Sequence, residues 1–141
     1  MLAAALLLAG CGERARPAPT DVDAPVQLSV EVLAPRDNET VVAGRDLVVR
    51  VHARDLRGAS LAGVGFIVRR AGSTLDSVSL VLDVPVAEST QAFHFPVPAA
   101  LTTNTHLEVF GIAYGPGALA RVSVPRAVVV ARCQPFQTGC G

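Results

Sequence analysis

The chain has 141 residues, half of them hydrophobic, with twelve basic and twelve acidic residues and a formal charge of zero. That apolar content excludes a disordered chain, and the balanced charge excludes the net basic footprint that nucleic-acid binding requires. One domain of ordinary size, with a real apolar core, fits this length once the N-terminal segment is set aside.

Leu2 to Ala9 is almost wholly Leu and Ala. As a helix of about 10 residues it spans about 15 Å, half of the roughly 30 Å hydrocarbon core, so it is too short to cross a membrane. It has the length of a signal-peptide apolar region. The run ends in Leu8-Ala9-Gly10-Cys11. These four residues resemble the lipobox of bacterial lipoproteins: Leu, two small residues, then the cysteine that is modified. The resemblance implies a signal peptide over residues 1–10, a diacylglyceryl group on the Cys11 thiol and an acylated new amino terminus, palmitate being the expected acyl chain. Two or more chains, at about 0.8 kcal/mol per buried CH₂, anchor a protein stably. An Asp after the lipidated cysteine commonly retains such proteins in the inner membrane; Gly12 stands there, so the resemblance implies outer-membrane delivery. In one departure from the pattern, only Met1 precedes the apolar run where a charged segment is usual, and an upstream start codon is an open alternative. An ordinary secretory signal and a buried N-terminal helix are the other readings.

Residues 11–25 continue from Cys11 through "GERARPAPTDVDAP", which mixes Pro, Ala and charge without apolar periodicity. Prolines remove donors and favour extended backbone. At about 3.1 Å per residue, such a tether reaches roughly 40 Å. The alternative is an irregular edge strand packed on the domain.

From Val26 the pattern has period two. "VQLSVEVL" sets Val26, Leu28, Val30 and Val32 on one face and Gln27, Ser29 and Glu31 on the other, a half-buried strand. "APRDNET" is a turn, and "TVVAGRD" a short extended piece turning at Gly44. In "DLVVRVHARD", Leu47, Val49, Val51 and Ala53 alternate with Val48, Arg50, His52 and Arg54. A loop is expected over "LRGASLAG", then a strand with Val64, Phe66 and Val68 inward and a tight turn at "RAGST". "LDSVSLVLDV" alternates through Val78, Leu80 and Leu82; "TQAFHFPV" offers Phe93, Phe95 and Val97 inward, with Pro96 on an edge, where no ladder donor is needed. "PAALTTNT" is read as one helical turn. "HLEVFGIAY" is a strand, Gly115-Pro116-Gly117 closes a hairpin, and Pro125 breaks the last strand, "LARVSVPRAVVVAR".

About seven short strands with turns every eight to twelve residues predict an all-β chain: a single β-sandwich of about seven antiparallel strands over residues 26–132. Pro35-Arg36-Asp37-Asn38, Val41 to Gly44 and Ala53-Arg54-Asp55 resemble the opening of bacterial immunoglobulin-like and fibronectin-like envelope domains. The resemblance covers about a third of the chain well and implies an immunoglobulin-like sandwich. The antibody-type core Trp and inter-sheet cysteine pair are absent, and a jelly roll or transthyretin-like sandwich stays open. No internal repeat is visible.

Cys133 and Cys140, in the tail 133–141, form an even pair in an exported chain, and a structural disulfide is expected. Closing a loop of about eight residues contributes about 2.5 kcal/mol in the chain-entropy account. Six intervening residues are unlike redox C-x-x-C spacing, and two ligands are too few for structural zinc. His52, His94 and His106 are the only imidazoles. The first two fall on outward phases, so exposed strand histidines are expected rather than a metal site. Asp37, Asn38, Glu39, Asp55 and Asp83 offer calcium-type oxygens at turns and strand ends, though turn formation accounts for them. Gly63-Val64-Gly65 lacks the third glycine and receiving helix of a nucleotide loop, and no nucleophile elbow occurs. No cofactor and no catalytic residue is expected, and the chain is not read as an enzyme.

The reading is a protein moored at the membrane by its N-terminal lipid, presenting one module to a protein or glycan partner. Specificity is expected in loops on the rigid scaffold, at residues 55–62 with Arg57 and Ser60 and at the turn 114–118 with Tyr114 and Pro116. The alternative is a passive spacer or accessory subunit with no ligand of its own.

Overall fold

The computed structural model describes residues 26–132. Cys11, Cys133 and Cys140 lie outside the described residues, as does the expected tether.

Nine strands follow in chain order: β1 (Leu28–Ala34), β2 (Glu39–Val42), β3 (Asp46–Asp55), β4 (Leu61–Arg70), β5 (Ser73–Val86), β6 (Glu88–Pro96), β7 (His106–Tyr114), β8 (Ala120–Val122) and β9 (Arg126–Ala131). They form two sheets. The smaller has the order β1-β3-β6, the larger β2-β9-β7-β4-β5, with β8 also paired to β7. This is the strand order of an immunoglobulin-like sandwich in which the strand after β4 stays beside β4 instead of crossing to β6.

Alternation explains β3. Leu47, Val49, Val51, Ala53 and Asp55 are buried, and the residues between them face outward. Opposite them, β4 buries Leu61, Val64, Phe66 and Val68, and β7 buries Leu107 and Val109. Each such side chain contributes about 1.5–3 kcal/mol on leaving water. The two sheets meet closely at Gly111, where a Cβ would lie 2.8 Å from Val51 Cγ1 and 3.1 Å from Val30 Cγ2. Any side chain there would push β7 away from β1 and β3. Arg126 Nε donates to Val32 O across the sandwich at 3.2 Å.

The turns follow their chemistry. Ala71 and Gly72 have φ of 47° and 82°. Positive φ at both central residues is the type I′ signature, whose twist suits a two-residue hairpin. Between β8 and β9 the chain leaves the ladder at residues 123–125, where Pro125 cannot donate. Ser123 bridges the break: its Oγ accepts from Gly111 N at 2.9 Å and donates to Val124 O at 2.8 Å.

Four details differ from the sequence expectations. β2 pairs with β9 in parallel, so the ladders are not all antiparallel. β4 begins at Leu61, which is fully buried, shortening the expected loop to residues 56–60. No helical turn forms over 98–105. Two tight turns stand there, closed by Leu101 N to Pro98 O at 3.2 Å and Thr105 N to Thr102 O at 3.2 Å, and Asn104 adopts a φ of 65° that no helix admits. Val78 and Leu80 take the expected inner phase, since they sit opposite Phe66 and Val64, yet both remain exposed. The smaller sheet has three strands and the larger sheet extends beyond it, so the inner face of β5 is left uncovered.

Candidate functional site

The β3–β4 loop is organised by Asp55. Its Oδ1 accepts from Arg57 N at 3.0 Å and from Gln27 N at 3.3 Å, while Oδ2 accepts from Ser60 N at 3.1 Å. Leu56 N donates to Gln27 O at 2.8 Å, and Arg57 Nε donates to Gln27 Oε1 at 3.1 Å. The backbone N–H of Arg57, followed by those of Ser60 and Gln27, holds the Asp55 carboxyl below the ordinary carboxylate value against the opposing effect of burial. Arg57 and Ser60 are thus engaged in fixing this loop to the residues just before β1.

Tyr114 ends β7. Its ring packs across Gly63, where a Cβ would lie 3.3 Å from Tyr114 Cδ2. Its hydroxyl lies 2.8 Å from Ser79 Oγ on β5. Pro116 is at the tip of the β7–β8 hairpin, which closes through Gly115 N to Leu119 O at 2.8 Å. A Cβ on Gly115 would meet Leu28 Cδ1 at 3.3 Å. Both expected binding loops therefore stand at one end of the sandwich, against the first residues of β1. The Tyr114 ring is directed elsewhere, over the outer face of the larger sheet. There it borders an apolar groove of about 230 Å³ with Gly63, Leu80 and Val81.

The histidines do not converge. His52 Nδ1 pairs with Thr90 Oγ1 at 2.9 Å. His94 Nδ1 lies 4.0 Å from an Asp46 carboxylate oxygen at the solvent surface, and His106 opens β7 on the other sheet. Asp37 Oδ1 accepts from Ala127 N at 2.8 Å and Glu39 Oε2 from Arg36 N at 2.7 Å, both capping backbone. Among the described residues no three His, Cys, Asp or Glu side chains are grouped to hold a metal. A larger cavity of about 590 Å³, between β2 and β3, is lined by Glu39, Arg45, Asp46 and Arg50 along with aliphatic side chains.

The feature that loop-centred reasoning missed is β5. Among the described residues, five of the eleven exposed large hydrophobic side chains lie on this strand: Leu75, Val78, Leu80, Val81 and Val84. No described strand pairs with its outer edge. Edge strands are normally guarded by Lys, Pro, bulges or a cover. Residues 73–81, "STLDSVSLV", carry one charge, Asp76, and no proline. The register with β4 slips at Leu75, between Thr74 and Asp76, and again beyond Val81 ahead of Pro85, so the regular stretch of this edge is residues 76–81. The sparse charge and the lack of proline over residues 73–81 are visible in the sequence; that β5 is an edge is not.

No family model matches the chain, and no curated protein matches it. Solved structures do. A CARDB domain of the PF1109 protein from Pyrococcus furiosus, solved with di-metal ions, is 17% identical, covering 75% of this chain and 89% of that one at a TM-score of 0.48. Fibronectin(III)-like modules of CbhA from Clostridium thermocellum are 16% identical, covering 74% and 96% at 0.45. A β-glucosidase from Listeria innocua is 12% identical, covering 75% of this chain and 16% of that chain at 0.48. Likeness at this level adds nothing beyond the strand order already described.

Proposed function

We propose that this chain is a lipid-anchored envelope protein, acylated at Cys11 and delivered to the outer membrane, whose immunoglobulin-like module holds a partner protein. One observation carries the reading of a partner-holding module: the concentration of exposed apolar side chains on the edge strand β5. A passive spacer has no use for such a patch, which is a solubility hazard unless covered. The Leu8-Ala9-Gly10-Cys11 sequence supports the anchor, and Cys133 and Cys140 are proposed to be disulfide-bonded in the tail. The module is non-catalytic in this reading and takes no cofactor.

The test joins two measurements. Mass spectrometry of the native protein reports the mass on Cys11 and the state of Cys133 and Cys140; an unmodified Cys11 thiol in a cytosolic chain ends the anchoring part. Chemical cross-linking in intact cells, compared between the natural chain and a Val81→Asp variant, reports the partner. Adducts that vanish with the variant support the module's role, and a chain without adducts favours the spacer. A glycan partner is the second reading, favoured by the Tyr114 ring pinned by Ser79 beside the 230 Å³ apolar groove. Glycan retention lost in Tyr114→Ala is its signature.

A further inference from the structure

We propose that the groove between β2 and β3 binds an extended acidic segment of a partner protein, which adds to β3 as a short strand where β1 has left it. This surface is separate from the β5 patch and does not depend on it.

Successive residues of a strand aim their backbone N–H and C=O to alternate sides. In β3 the side taken by each residue is fixed at the two ends. Asp55 N donates to Ala87 O at 2.8 Å and Arg45 O accepts from Val97 N at 2.9 Å, both toward β6. Leu56 N donates to Gln27 O at 2.8 Å, toward β1. The pairing of β3 with β6 runs without a slip from Asp46 to Arg54. Odd-numbered residues therefore serve β6, and even-numbered residues turn to the β1 side.

On that side the ladder stops early. β1 shifts register between Val32 and Ala34, and Ala34, opposite Arg50, is its last paired residue. Arg36, the next in line for Val48, is occupied in its own turn. Its N–H donates to Glu39 Oε2 at 2.7 Å and its carbonyl accepts from Glu39 N at 3.1 Å. Among the described residues, the N–H and C=O of Val48 are thus left without a strand partner. They face the cavity of about 590 Å³, lined by Val48 and Arg50 of β3 and by Thr40 and Val42 of β2. An extended backbone is the ligand that matches such an edge: its main chain supplies the missing bonds and its alternate side chains supply specificity.

The slot also has a length. Ala34 closes it at Arg50, so Asp46–Val49 is what an added strand can cover, about 13 Å. A flexible segment fits that span. The ten-residue β3 of a second copy would run into Ala34.

Charge selects the side chains. Both acids lining the groove have local partners: Glu39 caps Arg36 N, and Asp46 lies 4.0 Å from His94 Nδ1. Arg45 and Arg50 line the same groove and form no ion pair among the described residues. Arg50 shares the outward phase of Val48. It is therefore a diagonal neighbour of the side chain that an added strand sets opposite Val48, within reach of a long residue. A carboxylate there meets a guanidinium, and an ammonium meets a like charge.

The test is amide hydrogen exchange of the full chain in detergent micelles, read by NMR. A contact this short binds weakly, so occupancy of the edge is the quantity to follow. Without a ligand, the Val48 amide is expected to exchange fast, and Leu47 and Val49, bonded to β6, to be protected. The probe is a short synthetic peptide of alternating Val and Thr with one Thr replaced by Glu. It is expected to slow Val48 exchange saturably. The same peptide with Lys in place of Glu is expected to bind about fivefold more weakly, and one N-methylated at alternate residues not at all. Arg50→Glu is expected to reverse the preference between Glu and Lys, while Val81→Asp on β5 changes neither. Slow exchange of Val48 before any peptide is added would assign the edge to the chain's own tail or tether and overturns the proposal. So does a probe that leaves Val48 exchange unchanged, or equal binding of the Glu and Lys peptides.

Discussion

Phe66 and Val78 are neighbours across one ladder, on the same face of the same sheet. Phe66 is fully buried and packs on Phe93 at 5.3 Å between ring centroids, whereas Val78 is 39% exposed. Three residues further along β5, Val81 on the outer face reaches 79%. Hydrophobic alternation is equally clear in β4 and β5, so alternation tells which side of a sheet a residue takes and nothing about whether another layer lies above it. Cover is set by how many strands the opposing sheet has, three here against five in the main path of the larger one.

That contrast is open to mutation. The largest effect is expected for Phe66→Ala, with a loss of about 3–5 kcal/mol in urea unfolding, the range for an aromatic removed from a packed core. Equal losses for Val78→Ala would erase the difference between the two strands. Next comes Ser123→Ala. It leaves the buried Gly111 N–H without its side-chain acceptor, at a cost of about 1–3 kcal/mol, and a neutral result would show that water replaces the hydroxyl. For Leu80→Ala on the uncovered face, a change of about 0.5 kcal/mol or less is expected in the isolated chain, measured in the same titration.

The smallest signal is expected in pH. The folded Asp55 pKa lies below its ordinary value of 3.8. The unfolded chain therefore binds the proton first, and stability falls as acid is added. The contribution is complete above the unfolded value and is lost as pH descends through the folded one. Asp55→Asn is expected to flatten that acid limb in a pH series of melting temperatures; an unchanged limb would remove Asp55 as the latch of the β3–β4 loop.

These comparisons also mark what the sequence conveys. The phases of β1 and β3 are legible because each has a covered face and a wetter one, the condition under which period two is written into residue choice. The hairpin at Ala71-Gly72 and the break at Pro125 are legible because their chemistry is local. The pairing of β2 with β9 is not, because the partners are about ninety positions apart and four residues carry no register of their own. Leu61 reads as a loop residue because Ala62 and Gly63 follow it; Gly63 in fact makes room for Tyr114. The expected binding loops were named from exposure and composition. Their hydrogen bonds to Gln27 and Ser79 depend on which strands lie adjacent, and adjacency is a property of the assembled sheets.

The two ends of the described chain lie far apart. Leu28 pairs with Asp55 at the end of β3, whereas Ala131 receives Ala43 N just ahead of its start, so the length of β3, ten residues or about 30 Å, separates them. A pull on Val26 and Arg132 in opposite directions runs along β1 and β9 rather than across them. Their ladders to β3, β7 and β2 would then be loaded in shear, with many hydrogen bonds sharing the tension at once instead of opening one after another. A module built this way resists stretching better than its modest core implies, a useful property for any protein held at one end while a load is applied at the other.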